Sequence, residues 1–151
     1  MDTLNKLGDI YIEALTEVIS KVSGTSLQVS CRQPDSSFDE IIGAMYLYGK
    51  KNGLLFLTAN ESDVKILCSK MIGVPVADVT SEEIDDTMCE LVNMMAGSAK
   101  LRLSESDYMF SLLQPFVIKG KDVSIVTKSI TQVEAGTLTG EGISVRFKVI
   151  Y

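Results

Sequence analysis

The spacing of hydrophobic residues predicts a helix, a strand and a hairpin in residues 1–59. Residues 3–22 place hydrophobic side chains at helical intervals, which predicts an amphipathic helix. Residues 26–32 alternate hydrophobic and polar side chains, as a short strand does. Residues 41–59 contain two nearly continuous hydrophobic runs on either side of Asn52-Gly53, which predicts a hairpin whose strands are covered on much of both faces.

Two more helices and a series of strands are predicted in the rest of the chain. Asn60 is a suitable N-cap for a helix that runs to about residue 72. Thr80 and Glu83 have the spacing of a capping box, and the helix that they start is expected to reach about Leu103. The hydrophobic segments that follow are separated by glycines and predict strands over residues 109–113, 117–118, 123–126, 130–137 and 143–151.

This order of elements predicts an α+β (mixed α/β) fold, in which long helices pack on a largely antiparallel β-sheet. No segment is long enough to be a linker, so residues 1–151 are expected to form a single domain. We expect the strand over residues 143–151 to lie at an edge of the sheet, where its backbone groups can pair with another chain.

The composition argues against several kinds of partner and location. A net charge of −6 disfavours binding to the phosphates of nucleic acid. No hydrophobic run approaches the roughly 18 residues of a membrane span, and residues 1–15 lack the basic-then-hydrophobic order of a signal peptide. The cysteines are odd in number and widely spaced, which is typical of free thiols in a reducing, cytoplasmic compartment. They are Cys31, Cys68 and Cys89.

The absence of histidine restricts the chemistry further. It excludes Ser-His-Asp and Cys-His nucleophilic systems, and it excludes every metal site that uses a histidine ligand. No glycine-rich segment with a following Lys-Ser or Lys-Thr is present, so there is no P-loop. Any catalysis must therefore use carboxylates, amides, hydroxyls, lysines or groups that a partner brings.

The helix predicted from Thr80 has a hydrophobic face and a polar face on opposite sides. The hydrophobic face, expected in the core, consists of Ile84, Met88, Leu91 and Met95. The same spacing two residues later gives what we call the polar stripe, which consists of Asp86, Glu90, Asn93 and Gly97. A solvated surface is the ordinary interpretation. Two features argue against it: Val92 and Met94 are hydrophobic neighbours, and glycine inside a helix costs about 1 kcal/mol relative to alanine.

The polar stripe resembles the active-site motif of the CheC/CheX/FliY family of chemotaxis phosphatases. In this chain the motif reads Asp86-x-x-x-Glu90-x-x-Asn93, and Pro115 stands where the family has a proline. Residues 112–120 resemble the family's hydrophobic segment after the active-site helix. The hairpin and the helix that follows it also come in the family's order.

The number of motif copies favours the CheX branch of this family. CheC-like members carry the motif on two helices, whereas CheX-like members carry it on one. The first helix here offers Asp9-x-x-x-Glu13-x-x-Thr16, with threonine in the place of the asparagine. The chain therefore resembles CheX-like members, with one active site per chain.

The resemblance implies a phosphatase, and hence a hydrolase, that removes the phosphoryl group from the aspartate of a CheY-type response regulator. It implies that Asn93 positions the attacking water and that Glu90 pairs with a lysine of the regulator. Asp86 would be a further contact with the regulator, and Gly97 would leave room for an incoming loop. No cofactor on this chain is implied, because the regulator carries the Mg²⁺. Since CheX-like proteins dimerise through their sheets, a homodimer is implied as well.

Two other interpretations stay open at this point. A non-catalytic docking module of the same fold, similar to the flagellar switch proteins related to this family, is expected to lack the Glu90–Asn93 pair, which is intact here. The polar stripe could also be no more than the solvated face of a small cytoplasmic domain. Burial of either Glu90 or Asn93 in the core would argue against the phosphatase.

Overall fold

Three α-helices cover one face of a seven-stranded sheet in this computed structural model, which describes residues 6–32 and 37–151. The helices are α1 (Leu7–Ser23), α2 (Glu61–Ile72) and α3 (Ser81–Arg102). The strands are β1 (Gln28–Cys31), β2 (Ile41–Gly49), β3 (Gly53–Ala59), β4 (Phe110–Ser111), β5 (Phe116–Lys119), β6 (Val133–Gly140) and β7 (Ile143–Ile150). The predicted α+β fold is confirmed.

The sheet is antiparallel at every described strand pair. Its order is β1-β6-β7-β3-β2, and both β4 and β5 pair with the outer side of β2. In the hairpin of β2 and β3, Ile41 lies opposite Ala59 and Leu47 lies opposite Gly53. The predicted hairpin is therefore present, and β5 extends the sheet beside the first half of β2.

Both faces of the central strands are buried, as their nearly continuous hydrophobic runs predict. On one face, residues such as Met45 and Leu57 join the main core beneath the helices. On the other face, Ile42 and Phe56 belong to a second, smaller core. Segments outside the regular strands help to cover this second core, with Phe38 among the side chains that pack against it.

α3 lies directly on β2 because a glycine allows a close approach. A Cβ at Gly43 would lie 2.6 Å from Cγ2 of Val92 and 3.1 Å from the backbone oxygen of Met88. The start of α3 is fixed by the predicted capping box: the Thr80 hydroxyl accepts from the backbone N–H of Glu83, and the Glu83 carboxylate accepts from that of Thr80. The position of α3 is thus set at its start and at its middle.

The prediction that the last strand lies at a sheet edge is wrong. β7 is hydrogen-bonded to β6 on one side and to β3 on the other. Its alternate residues Val145, Phe147 and Val149 are buried beneath the helices, which places the strand in the middle of the hydrophobic layer. The described edge strands are β1 at one end of the sheet and β4 and β5 at the other. The homodimer stays a prediction, without the support of an edge position for β7.

Residues 123–126 do not form the predicted strand. Val123 and Ile125 pack against the second core while the residues between and after them are exposed, so the segment alternates without pairing to a neighbouring strand. Alternation reports one-sided burial, and it does not by itself report backbone pairing. The strand predicted over residues 109–113 is reduced to β4.

The other predicted elements are confirmed with small shifts of their ends. β1 is present, but all four of its side chains are exposed because it is an edge strand. The predicted first helix is described from Leu7 onward, and its residues 3–5 lie outside the described residues. That residues 1–151 form a single domain stays a prediction.

We predict that Gly43→Ala lowers the free energy of unfolding by about 1–3 kcal/mol, because the new methyl group overpacks the contact with α3. The backbone at Gly43 does not lie in the left-handed region, so the effect comes from the contact alone. Urea unfolding followed by circular dichroism measures it. Val92→Ala in the same chain should recover part of the loss, since it removes the atom nearest to the new methyl group.

Gly97→Ala is the matched control for this substitution. A Cβ at Gly97 would meet no atom within 4 Å outside its own stretch of helix. The substitution should therefore leave stability unchanged or raise it by about 0.5–1 kcal/mol, from helix propensity alone. Equal losses of stability in Gly43→Ala and Gly97→Ala would contradict the close approach of α3 to β2.

Candidate functional site

The polar stripe lies on the outer face of α3, away from the sheet. Asp86, Glu90 and Asn93 are exposed, and Gly97 is half-buried. The four residues of the opposite face are buried in the main core, as predicted: Ile84, Met88, Leu91 and Met95. Glu90 and Asn93 are three residues apart, so about 4.5 Å of helix separates them along its axis and they face the same side.

The polar side chains of the stripe have no partner within the described chain. Asp86, Glu90 and Asn93 form neither a hydrogen bond nor an ion pair with any residue in 6–32 or 37–151. The backbone positions of these residues are nevertheless fixed, because they lie on a helix whose other face is buried. The site is thus a rigid backbone that presents an acid and an amide to solvent.

Gly97 is not required by the packing of this protein. The space beside its Cα is open, and glycine lowers the stability of a helix interior. In contrast, Gly43 is required by the contact between α3 and β2. Packing therefore explains the glycine at position 43 but does not explain the glycine at position 97.

The stripe is bordered by acidic groups that raise the pKa of a thiol. The pKa of Cys89 is raised above its ordinary value. Burial is the largest cause, followed by the carboxylate of Asp86 and then that of Asp85. Asp85 is itself paired: Nζ of Lys119 lies 2.8 Å from its Oδ1, a contact of charges rather than an aligned hydrogen bond. Cys89 therefore stays a thiol near neutral pH, which lowers its reactivity.

The corresponding face of α1 is occupied by contacts within the chain. Arg32 pairs with Asp9 at 2.8 Å, and Arg102 at the end of α3 pairs with both Glu13 and Glu17. Unlike the polar stripe of α3, the acidic face of α1 is paired with arginines from other segments, so its carboxylates are not left for a partner.

The hydroxyl of Thr16, which stands where the motif needs an amide, donates to the backbone oxygen of Ile12. It is turned toward its own helix in this contact. Of the two helices, α3 alone presents an unpaired acid and amide among the described residues.

Three details near α3 differ from what the sequence suggests. Val92 is fully buried against the sheet and Met94 is half-buried against the main core, so neither is a plain surface neighbour of the stripe. Lys119 ends β5 and pairs with Asp85, a contact between distant segments that the sequence does not predict. Leu101 was missed: it is exposed and continues the polar stripe four residues after Gly97. Helical spacing places it on the side of the stripe, but its exposure is seen only in the structure.

The described residues contain neither a cluster of metal ligands nor a membrane-spanning helix. No group of three or more Cys, Asp or Glu side chains lies close enough together to hold a metal ion in residues 6–32 and 37–151. In the same residues, no helix is both long and hydrophobic enough to cross a membrane.

The fold and the site together define a helix-on-sheet protein with an acid and an amide exposed on one rigid helix. In a comparison with protein families, residues 41–137 match the family described as chemotaxis phosphatase CheX. Because the match covers more than half of the chain, the chain belongs to this family. The predicted resemblance is thereby confirmed.

Solved structures confirm the fold. The chain is similar to the chemotaxis protein CheX from Vibrio vulnificus, with a TM-score of 0.83 and 19% identity over 96% of this chain and 98% of that one. A CheC-like superfamily protein from Shewanella sp. PV-4 has a TM-score of 0.83 and 23% identity, with 99% and 98% of the two chains covered.

A third similar structure comes from the CheX–CheY–BeF₃–Mg²⁺ complex of Borrelia burgdorferi. Its TM-score is 0.76 and its identity is 15%, with 94% of this chain and 95% of that one covered. At such identities the likeness shows the fold alone. A comparison with curated proteins gives no match.

The raised pKa of Cys89 gives a test of the charge around the stripe. In a Cys31→Ser chain, Asp86→Asn should speed the alkylation of Cys89 by iodoacetamide at pH 8, because loss of one carboxylate lowers the pKa of the thiol and increases the thiolate fraction. Cys68 is fully buried and should react far more slowly. Mass spectrometry of timed samples measures the rate.

Glu105→Gln is the charge-matched control, since Glu105 follows the far end of α3 and is exposed. It should leave the alkylation rate unchanged. Equal rates for the native residue and Asp86→Asn would mean that Asp86 does not act on Cys89.

Proposed function

We propose that this protein is a phosphatase that removes the phosphoryl group from the aspartate of a CheY-type response regulator, whose phosphorylated domain is called the receiver below. The observation that carries the proposal is the exposed, unpaired Glu90–Asn93 pair on α3 in a chain of the CheX family. The similar chain from Borrelia burgdorferi, which was solved with CheY, BeF₃ and Mg²⁺, supports this choice of substrate.

Asn93 is the proposed water-positioning residue. Water attacks phosphorus opposite the aspartyl oxygen, so that a new P–O bond forms as the bond to aspartate breaks and the carboxylate leaves with the electron pair. An amide can hold this water by hydrogen bonds while adding no negative charge beside the phosphoryl oxygens. The fixed helix supports the role, because alignment of the water is most of what the reaction requires.

Glu90 is the proposed docking residue. Its carboxylate lies on the same side of α3 as Asn93 and has no partner in the described chain, so it is available for a lysine of the receiver. Asp86, one turn earlier, adds negative charge at this end of the stripe. Gly97, one turn after Asn93, leaves space in which a loop of the receiver can approach the helix.

The receiver is proposed to bring the metal ion. Mg²⁺ on the receiver would offset the charge of the phosphoryl group, and this chain would supply alignment and contacts. That the chain binds no cofactor of its own, that it forms a homodimer and that it works in the cytoplasm all stay predictions.

We predict that Asn93→Ala lowers kcat for phosphate release from a phosphorylated receiver by about a hundredfold, because the attacking water loses its alignment. Glu90→Gln should mainly raise KM, by roughly three- to tenfold, because the docking charge is lost. Initial rates measured against receiver concentration separate the two effects.

The controls are Gln28→Ala on the exposed edge strand β1 and Glu105→Gln after α3, which should match the native chain. The phosphatase is contradicted if the native chain adds nothing to the receiver's own dephosphorylation. Binding of the receiver without faster hydrolysis would instead favour the non-catalytic docking module. Full activity of Asn93→Ala would remove the proposed role of the amide.

A further inference from the structure

The outer face of α3 continues past the polar stripe into an exposed hydrophobic residue. Leu101 follows Gly97 by four residues and therefore lies on the same side of the helix. It is 79% exposed, whereas Ile72 at the end of α2 is 47% exposed. It belongs to neither hydrophobic core of the described chain. The packing of residues 6–32 and 37–151 gives no reason for a leucine at this position.

Leu101 and Gly97 lie one turn apart on the outer face of α3, with open space beside the glycine. A helical side chain leans toward the N-terminal end of its helix, so Leu101 leans over the turn that contains Gly97. Gly97 adds no side chain, and the space beside it is open. Met94 borders the same turn and is half-buried. We call these three residues the apolar notch. It begins next to Asn93, and Leu101 lies about 12 Å from Asn93 along the helix.

The outer face of α3 is therefore acidic at one end and apolar at the other. Asp86 and Glu90 supply the negative charge, and Asn93 lies between them and the apolar notch. A partner that fits this face has a basic group at one end, an apolar side chain at the other and its reacting group between them. We propose that the apolar notch holds an apolar side chain of the phosphorylated receiver and thereby sets the affinity and the register of docking. This inference rests on the proposed function.

Continuity and charge favour the receiver over other occupants. A folded domain that contacts Glu90 and Asn93 would also cover residues 12 Å away, because a standard interface buries about 800 Å² on each partner. A second copy of this chain has a net charge of −6 and the same acidic stripe, which would repel in a contact of like faces. An anionic lipid surface would be repelled for the same reason.

The test is the substitution Leu101→Gln, which keeps side-chain length and helix propensity while removing the apolar surface. We expect KM for phosphate release, and Kd for the receiver loaded with BeF₃ and Mg²⁺, to rise about tenfold, and kcat to change less than about twofold. Asn93→Ala should show the opposite split. Leu101→Met, which restores an apolar side chain, should return KM to near its native value.

Val126→Gln is the matched control, because Val126 is also a highly exposed hydrophobic residue but lies outside the helices. It should leave KM and kcat unchanged. Gly97→Ala partly fills the notch and should raise KM without lowering stability. Unfolding curves for Leu101→Gln should match the native chain, and Leu101→Ala supplies a second variant with the same expected rise in KM.

The outcomes separate this inference from the proposed function. An active native chain with native KM and Kd in Leu101→Gln overturns the inference and leaves the phosphatase intact. A native chain that neither binds nor dephosphorylates the receiver overturns both. If analytical ultracentrifugation gives Leu101→Gln a different oligomeric mass from the native chain, the occupant of the apolar notch is a second copy of the chain. The receiver is then excluded as the occupant.

Discussion

The contact between α3 and β2 at Gly43 is the constraint on which the site depends. At this residue the missing side chain lets Val92 and the backbone of α3 lie against the sheet. The hydrophobic face of α3 is thereby buried, and the opposite face must point to solvent because the two lie on opposite sides of one helix. The core thus decides that Glu90 and Asn93 lie on the solvent-facing side of α3.

Charge distinguishes the outer face of α3 from the similar face of α1. On α1, arginines neutralise the acidic residues, including Glu13 and Glu17. On α3, the described chain leaves Glu90 and Asn93 unpaired, while Asp85 beside them is paired with Lys119. An unpaired acid next to an unpaired amide is a surface that can bind a cation and hold a water molecule. The proposed chemistry requires both properties, and α3 combines them on a rigid support.

The sequence predicts those features of the fold that depend on the spacing of nearby residues. It does not predict features that depend on contacts between distant segments. The capping box of Thr80, the hairpin and the two faces of α3 follow from residues close together in the chain, and all are confirmed. The central position of β7 depends on which strands it meets, and no local pattern contains that information. The strand predicted over residues 123–126 fails for a similar reason, because burial on one side gives the same alternating pattern as a strand.

The site follows the same rule. The residues of the polar stripe could be found because helical spacing places them together, whereas the pairing of Lys119 with Asp85 joins distant elements. Leu101 has helical spacing too, yet its exposure is known only from the fold.

The most direct measurement is single-turnover hydrolysis of a phosphorylated receiver by Asn93→Asp at saturating protein concentration. This nearly isosteric change adds a negative charge beside the phosphoryl group. A rate at least as low as that of Asn93→Ala is predicted, and a rate equal to that of the native chain would contradict the account.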